Sequence, residues 1–347
     1  MVKIEKLGKV RFAAWFQMMW REHPLFSTLC ALLLMIVLQT IALGFDQGSF
    51  FSWLSLWCRN WLNILRNNAT IGIIALGMTF VIITGGIDLA VGSTLVAIGA
   101  VVMIFIDGSD SGLLSSIGIS GFPAYLIGII AGLACGLLLG EFTGVLVTVG
   151  KLPPFIATLG MMKICRSVTQ QCMQTINPAV PRGFTRLANV TIGGQMFMPI
   201  LYWLVIAFIM YYVSRHTAFG RYVFAVGSNE KAARLSGINV RRVKRMVYTI
   251  MGLLVGVAAV LQVSRIGAMD YANAGSGYEM DAIAAVIVGG TSMAGGRGSI
   301  AGTVLGVLII AVMNNLLNLI GVPPFLREAF KGVIVIAAVL LQKKEKI

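Results

Sequence analysis

Few side chains within the long apolar stretches of this 347-residue sequence could do chemistry. The candidate carboxylates in or beside them are Asp88, Glu141, Asp270, Glu279 and Asp281. Ionisable groups in an apolar medium can couple transport to protons or sodium. Most of these have a plainer role. Ser276 precedes Glu279 at capping-box spacing, and Asp281 would share the same first helical turn, where unpaired N–H groups and the helix dipole favour carboxylates. Asp88 stands where it could cap the helix that follows it. Only Glu141 lacks such a reading. The remaining polarity is neutral: Asn67, Asn68, Thr70, Thr79, Thr84, Ser93, Thr94, Thr158, Asn314, Asn315 and Asn318. Amides and hydroxyls match an uncharged polyhydroxylated solute, and they equally make hydrogen bonds between packed helices. Asn314 and Asn318 share a helix face at i,i+4. The expected polar pathway is Asn67, Asn68, Asp88, Ser93, Thr158, Asn314 and Asn318.

Catalytic signatures are missing. The sequence contains no GxxxxGK[ST], HExxH, GxSxG or DxDxG. His23 and His216 are the only histidines, and both lie in flanks of apolar stretches. Cysteines 30, 58, 135, 165 and 172 show no CxxC spacing and read as packing residues. No enzyme active site, metal centre or nucleotide loop is expected in this chain. Its GG and GxG pieces stand between apolar spans, without a βαβ context.

The elements that must position these groups follow from composition. Apolar residues make up 58% of the chain and charged ones 12%, with mean hydropathy +0.88. Soluble domains carry about 25% charged residues, so the expected solvent is the bilayer. Stretches near 25–44, 66–84, 90–106, 123–148, 154–171, 198–214, 245–264, 279–291, 298–319 and 327–342 read as spans. The expected fold class is all-α, a polytopic membrane bundle of about ten helices. Residues 1–24 read as an interfacial segment with Trp15 and Trp20 at headgroup level, 25–342 as one membrane domain, and 343–347 as a tail. With ten spans and an inside N-terminus, 18 of the 27 Lys and Arg residues fall in cytoplasmic segments, so both termini are expected inside. The net charge of +14 fits anionic lipid rather than nucleic acid. Gly85, Gly86, Gly289, Gly290, Gly295 and Gly296, in "TGGIDLAVGS" and "GGTSMAGGRGS", are expected to break helices at one membrane face.

One polar island, "GSNEKAARLSGINVRRVKR" (227–245), separates two of these spans. Ser228 or Asn229 can cap a helix with Glu230 in its first turn, and Gly237 can end it with Ile238 packing back. So short a helix is not stable alone and must dock on lipid or a partner. Ala232, Ala233 and Leu235 offer it a small apolar surface, and Lys231, Arg234 and Ser236 complete its polar side. Arg241, Arg242, Lys244 and Arg245 then anchor the next span. On physics alone, an ordinary basic loop and a partner-docking helix are equally good readings.

Four stretches carry a resemblance. "GMTFVIITGGIDLAVGSTLVAIGA" (77–100), "KLPPFIATLGMM" (151–162), "HTAFGRYVFAVGSNEKAARLSGINVRRVK" (216–244) and "DAIAAVIVGGTSMAGGRGSIAGTVLGVLI" (281–309) resemble, in order and spacing, the ribose-type permeases of ATP-binding-cassette importers. The likeness covers roughly residues 60–342, with Ala90 where that family usually has Ser. Asp88-Leu89 stands where the related branched-chain amino acid permeases tend to have Asn-Phe, which points to the carbohydrate branch. The resemblance implies an inner-membrane permease dimer, a cytoplasmic ATPase that holds ATP and magnesium, and a periplasmic solute-binding protein. It also implies that residues 229–237, within the loop 215–244, form the helix that couples to the ATPase. The alternatives are an ion-coupled secondary transporter of a small polar solute, or a permease of the same class for a non-sugar solute.

Overall fold

The computed structural model describes residues 24–45, 48–110 and 112–344. The interfacial segment expected over 1–24 therefore lies, but for Pro24, outside the described residues. Each of the ten expected spans holds a helix. They are α1 (Pro24–Leu43), α2 (Phe50–Ile83), α3 (Val91–Ile106), α4 (Phe122–Thr148), α5 (Pro154–Met173), α7 (Met198–His216), α10 (Val240–Ile266), α11 (Tyr278–Val288), α12 (Ile300–Leu319) and α13 (Pro324–Lys344). Three shorter helices fill loops: α6 (Arg182–Asn189), α8 (Ala218–Ser228) and α9 (Glu230–Leu235). A two-stranded hairpin, β1 (Thr191–Ile192) with β2 (Gln195–Met196), follows α6. Among the described residues, six helices are long and apolar enough to cross a membrane by length and composition: α1, α2, α4, α7, α10 and α12. The protein is an all-α polytopic membrane helix bundle.

The largest boundary difference is at α2, which begins at Phe50 rather than near 66. Ser49 caps it by accepting the Ser52 N–H, and two indoles hold the extension to α1. Trp53 Nε1 donates to the Gly44 carbonyl at 2.9 Å and Trp57 Nε1 to Thr40 Oγ1 at 3.1 Å. Polar residues between the tryptophans conceal this helix from a hydropathy reading.

Burial separates the helices into core and rim. Residues 69–70 and 72–83 of α2 are all buried, as is one whole side of α10. By contrast α1, α4 and α7 expose leucine, isoleucine and phenylalanine over most of their surface, among them Leu34, Leu138 and Phe208. In water this would be untenable; in lipid it is the solvated face. The buried side of α4 is a stripe of Gly128, Gly132, Gly136, Gly140 and Gly144. A Cβ on Gly252 of α10 would run into the Gly136 carbonyl oxygen and the Gly140 backbone, so these helices touch main chain to main chain. Dispersion at such short range replaces the hydrophobic driving force that lipid removes.

The bundle has two distinct ends. The end of α2, the starts of α3 and α5, the α7–α10 loop and the α11–α12 link gather at one, the α9 end. The far end carries residues 107–122, α6 and the hairpin, tied by Asp107 Oδ1 accepting the Ala179 N–H at 2.9 Å. From there residues 267–277 turn back into the bundle along α3, with Met269 against Gly99 and Gly275 against Gly92. So α11, only 11 residues long, starts inside the bundle. Its N-cap is Gly277 at φ +82°, which no side chain caps. The capping box expected from Ser276 and Glu279 does not form, because the left-handed turn at Gly277 takes over the helix start.

Candidate functional site

The polar island folds as a capped helix. Asn229 Oδ1 accepts the Ala232 N–H at 3.0 Å, which settles the cap on Asn229 rather than Ser228. At the other end Gly237 sits at φ +82°, with Gly237 N–H to the Arg234 carbonyl (3.1 Å) and Ile238 N–H to the Ala233 carbonyl (3.0 Å). This pair of bonds is the Schellman stop that a glycine permits. Glu230 fixes the helix to α10: its carboxylate meets Lys244 Nζ at 2.7 Å and Arg234 at 3.2 Å. The Lys244 hydrogen bond, ahead of the other interactions, holds the Glu230 carboxyl below its ordinary range. The expected apolar surface is split. Ala233 is buried against the bundle, whereas Ala232 is exposed and Leu235 is 90% exposed. Lys231, Arg234, Ser236 and Gly237 are exposed beside them. Leu235 thus stands outward beside the exposed Lys231 and Arg234.

The helix before it escapes a hydropathy reading. Thr217 caps α8 by accepting the Gly220 N–H at 3.2 Å, and Gly220 lies against the Ser214 carbonyl so that α7 and α8 turn sharply. At the end of α8, Gly227 packs directly on the Ile83 carbonyl oxygen and the Gly296 amide. Gly296 N–H donates to that same Ile83 carbonyl at 2.9 Å. The two glycine breaks, remote in sequence, therefore meet each other and the residue two before the α9 cap. Of the six break glycines, Gly85, Gly290, Gly295 and Gly296 hold positive φ, and Gly86 and Gly289 are close approaches to Tyr248 and Gly302.

The expected pathway residues fall into separate groups. Asp88, Ser93 and Thr158 come together at the first break. Asp88 is buried and accepts the Ala90 N–H at 2.9 Å, Ser93 Oγ donates to the Ala90 carbonyl at 2.9 Å, and Thr158 donates to Pro154 at 2.8 Å beside the Ile87 carbonyl. Contrary to expectation, Asp88 does not cap α3; Ala90 is the N-cap and has no side chain to offer. Elsewhere, Asn67 accepts from Arg265 at 3.0 Å and Asn68 donates to Ile64 in its own helix at 2.8 Å. On α12, Asn314 is half-buried with its Oδ1 unpartnered among the described residues, while Asn318, one turn nearer the helix end, is exposed. Their neighbour Asn315 makes a reciprocal amide pair with Asn60 at 3.1 Å. Glu141 has a structural role after all: it pairs with Arg245 at 2.8 Å and accepts from Thr249 at 2.7 Å.

Two cations that charge counting leaves aside prove to be internal. Lys331 of α13 pairs with the buried Asp281 at 2.9 Å and with Glu328 at 2.9 Å. Arg166 of α5 donates to the Tyr271 and Ala274 carbonyls at 3.2 and 2.8 Å, holding the re-entrant segment before α11. A cavity of about 180 Å³ lined by Asn314, Pro324, Arg327, Glu328 and Lys331 lies beside the ion pair. Helix-periodicity cannot reveal these pairs, since the partners are 50 and more than 100 residues apart.

A multi-helix bundle with broken inner helices and a loop helix presented outward is the frame of a polytopic membrane protein, and its relatives supply the class. Residues 60–339 match the profile of the family described as branched-chain amino acid transport system / permease component, and the chain belongs to that family. It is 39% identical over 326 residues to the ribose import permease protein RbsC of Escherichia coli (strain K12), covering 92% of this chain and 94% of that one. It is 44% identical over 290 residues to RbsC of Bacillus subtilis (82% and 85%), and 35% identical over 334 residues to the fructose import permease protein FrcC of Rhizobium meliloti (93% and 87%). The family's label comes from amino acid transport, but these relatives are sugar permeases, so the chain is a carbohydrate-type ABC permease.

Proposed function

We propose that this chain is the membrane subunit of an ATP-driven importer that moves a sugar or sugar-like solute into the bacterial cytoplasm. It would work as a permease dimer in the inner membrane, with both termini and the 215–244 loop cytoplasmic, a periplasmic binding protein delivering solute, and an ATPase subunit binding ATP and magnesium. The observation that carries this is the identity to ribose permeases across nearly the full length of both chains.

In this reading α9 is the lever. Leu235, Ala232, Lys231 and Arg234 form the face offered to the ATPase, while Ala233, Glu230 and the Asn229 cap fix the helix to the bundle. Movement of α9 reaches Gly227 two residues away, and Gly227 bears on Ile83 and Gly296, the ends of both broken segments. Rigid main-chain contact at each step would convert a push at the surface into a shift of the gating helices. Asp88, Ser93 and Thr158 line the first break, and Asn314 the cavity by α13, where neutral and charged groups could exchange hydrogen bonds with sugar hydroxyls.

The test is uptake in proteoliposomes containing the permease with its ATPase and binding protein. Transport should require ATP and all three proteins. Uptake driven by a proton or sodium gradient, with no ATPase present, would instead make the buried Asp281–Lys331 pair a coupling site and overturn the proposal.

A further inference from the structure

A groove of about 260 Å³ runs between α8 and α10 at the α9 end. Its walls are Phe219, Tyr222, Val243 and Met246, and its outer edge is Asn239 and Arg242. The floor is firm: Val243 is buried and the Phe219 ring packs 6.0 Å from that of Phe80. Tyr222 and Met246 are 44% and 40% exposed. We propose that this groove binds an anionic phospholipid, with an acyl chain between Phe219, Tyr222 and Met246 and the phosphate at Arg242.

Three observations select that occupant. The groove lies where α10 changes from RRVKR to an apolar run, the level at which a span leaves the hydrocarbon and where tyrosine settles. Its charge has no internal counterpart. The exposed acids near this end, Glu230 and Glu141, are already engaged by Lys244, Arg234 and Arg245, and the Arg221, Arg241 and Arg242 side chains have no carboxylate partner among the described residues. Asn239 Oδ1 takes the Arg242 amide, which orients the first turn of α10 toward the same edge. The chain's own residues 1–23 are a poor substitute, because they bring five basic side chains against two acidic ones. A basic residue at a membrane surface attracts anionic lipid, and apolar walls beside it hold the chain that the headgroup carries.

The proposal rests on the chain being membrane-embedded, and neither on its solute nor on ATP coupling. Native mass spectrometry of the full-length permease in detergent, with phosphatidylglycerol and phosphatidylcholine added in equal amounts, reads it directly. Wild type should retain phosphatidylglycerol in excess. Arg242→Gln should lower that excess by roughly fivefold, the effect of one basic residue at a charged surface. Arg242→Lys should keep most of it, and Arg59→Gln, in the α2 extension, should leave it unchanged. Met246→Glu should weaken retention through the apolar wall while leaving Arg242 in place. Equal retention of both lipids, or an Arg242→Gln protein indistinguishable from wild type, overturns the proposal. So does complete displacement of the lipid by the ATPase subunit, which would make the groove a protein contact.

Discussion

Replacing Gly227 by alanine tests the junction between the loop helix and the broken helices. Gly227 has an ordinary negative φ, so the substitution adds no backbone strain. The added methyl instead meets the Ile83 carbonyl oxygen and lies 2.7 Å from the Gly296 amide nitrogen. Both obstacles are main chain, so no rotamer change relieves them. Overpacking of this kind costs about 1–3 kcal/mol. Prising the strands of chain apart also strains the 2.9 Å Gly296–Ile83 hydrogen bond, for about 1 kcal/mol more. Together ~2–4 kcal/mol against the closed junction lowers its population roughly 30- to 1,000-fold. The outward face of α9 is untouched. ATPase binding, followed by co-purification, should therefore persist while uptake in proteoliposomes falls at least about tenfold. Gly160→Ala is the matched control, because nothing lies within 4 Å of a Cβ there and the position is helical, so it should be neutral or slightly stabilising. Wild-type uptake and melting for the Gly227 variant would show that the contact is loose and the lever argument wrong. Loss of ATPase binding in step with uptake would place the defect in docking and refute transmission through Gly227.

Other expectations follow from the same contacts. Lys331→Met should cost ~3 kcal/mol by leaving Asp281 buried without its partner, and the double change with Asp281→Leu should recover most of the lost thermal stability. Gly252→Val should lower the melting temperature by several degrees by forcing α4 and α10 apart, whereas Gly160→Ala should not. Glu230 has a lowered folded-state pKa, so its contribution is complete above its ordinary value of 4.5 and is lost as pH falls through the lower folded value. The stability difference between wild type and Glu230→Gln, measured by melting from pH 7 downward, should shrink to nothing in that acid range; a difference independent of pH would count against the Lys244 pairing. Asn314→Leu should reduce uptake with ATPase docking intact, while Asn318→Leu should be milder because that side chain is exposed.

The sequence alone determined the solvent, the class and most of the helix positions. Hydropathy does so because each membrane helix must satisfy its own backbone and face lipid, so the signal is contiguous in the chain. It also determined α9, since a cap and a Schellman glycine act within a few residues. Local signals failed where a neighbour far away in sequence decided the outcome. The α2 extension depends on indole bonds to α1, and α8 on a turn against Ser214. The start of α11 belongs to Gly277 rather than to Ser276, and Glu141 acquired its partner only from α10. Asp281 was legible as a first-turn carboxylate, but its partner Lys331, like the carbonyls that Arg166 holds, came only from the packing of α5, α11 and α13. Above all, two glycine-rich stretches some 200 residues apart were each legible as helix breaks. That they close on one another beneath Gly227 is a matter of tertiary contact, because a glycine's freedom is written in the sequence while the backbone it admits is not.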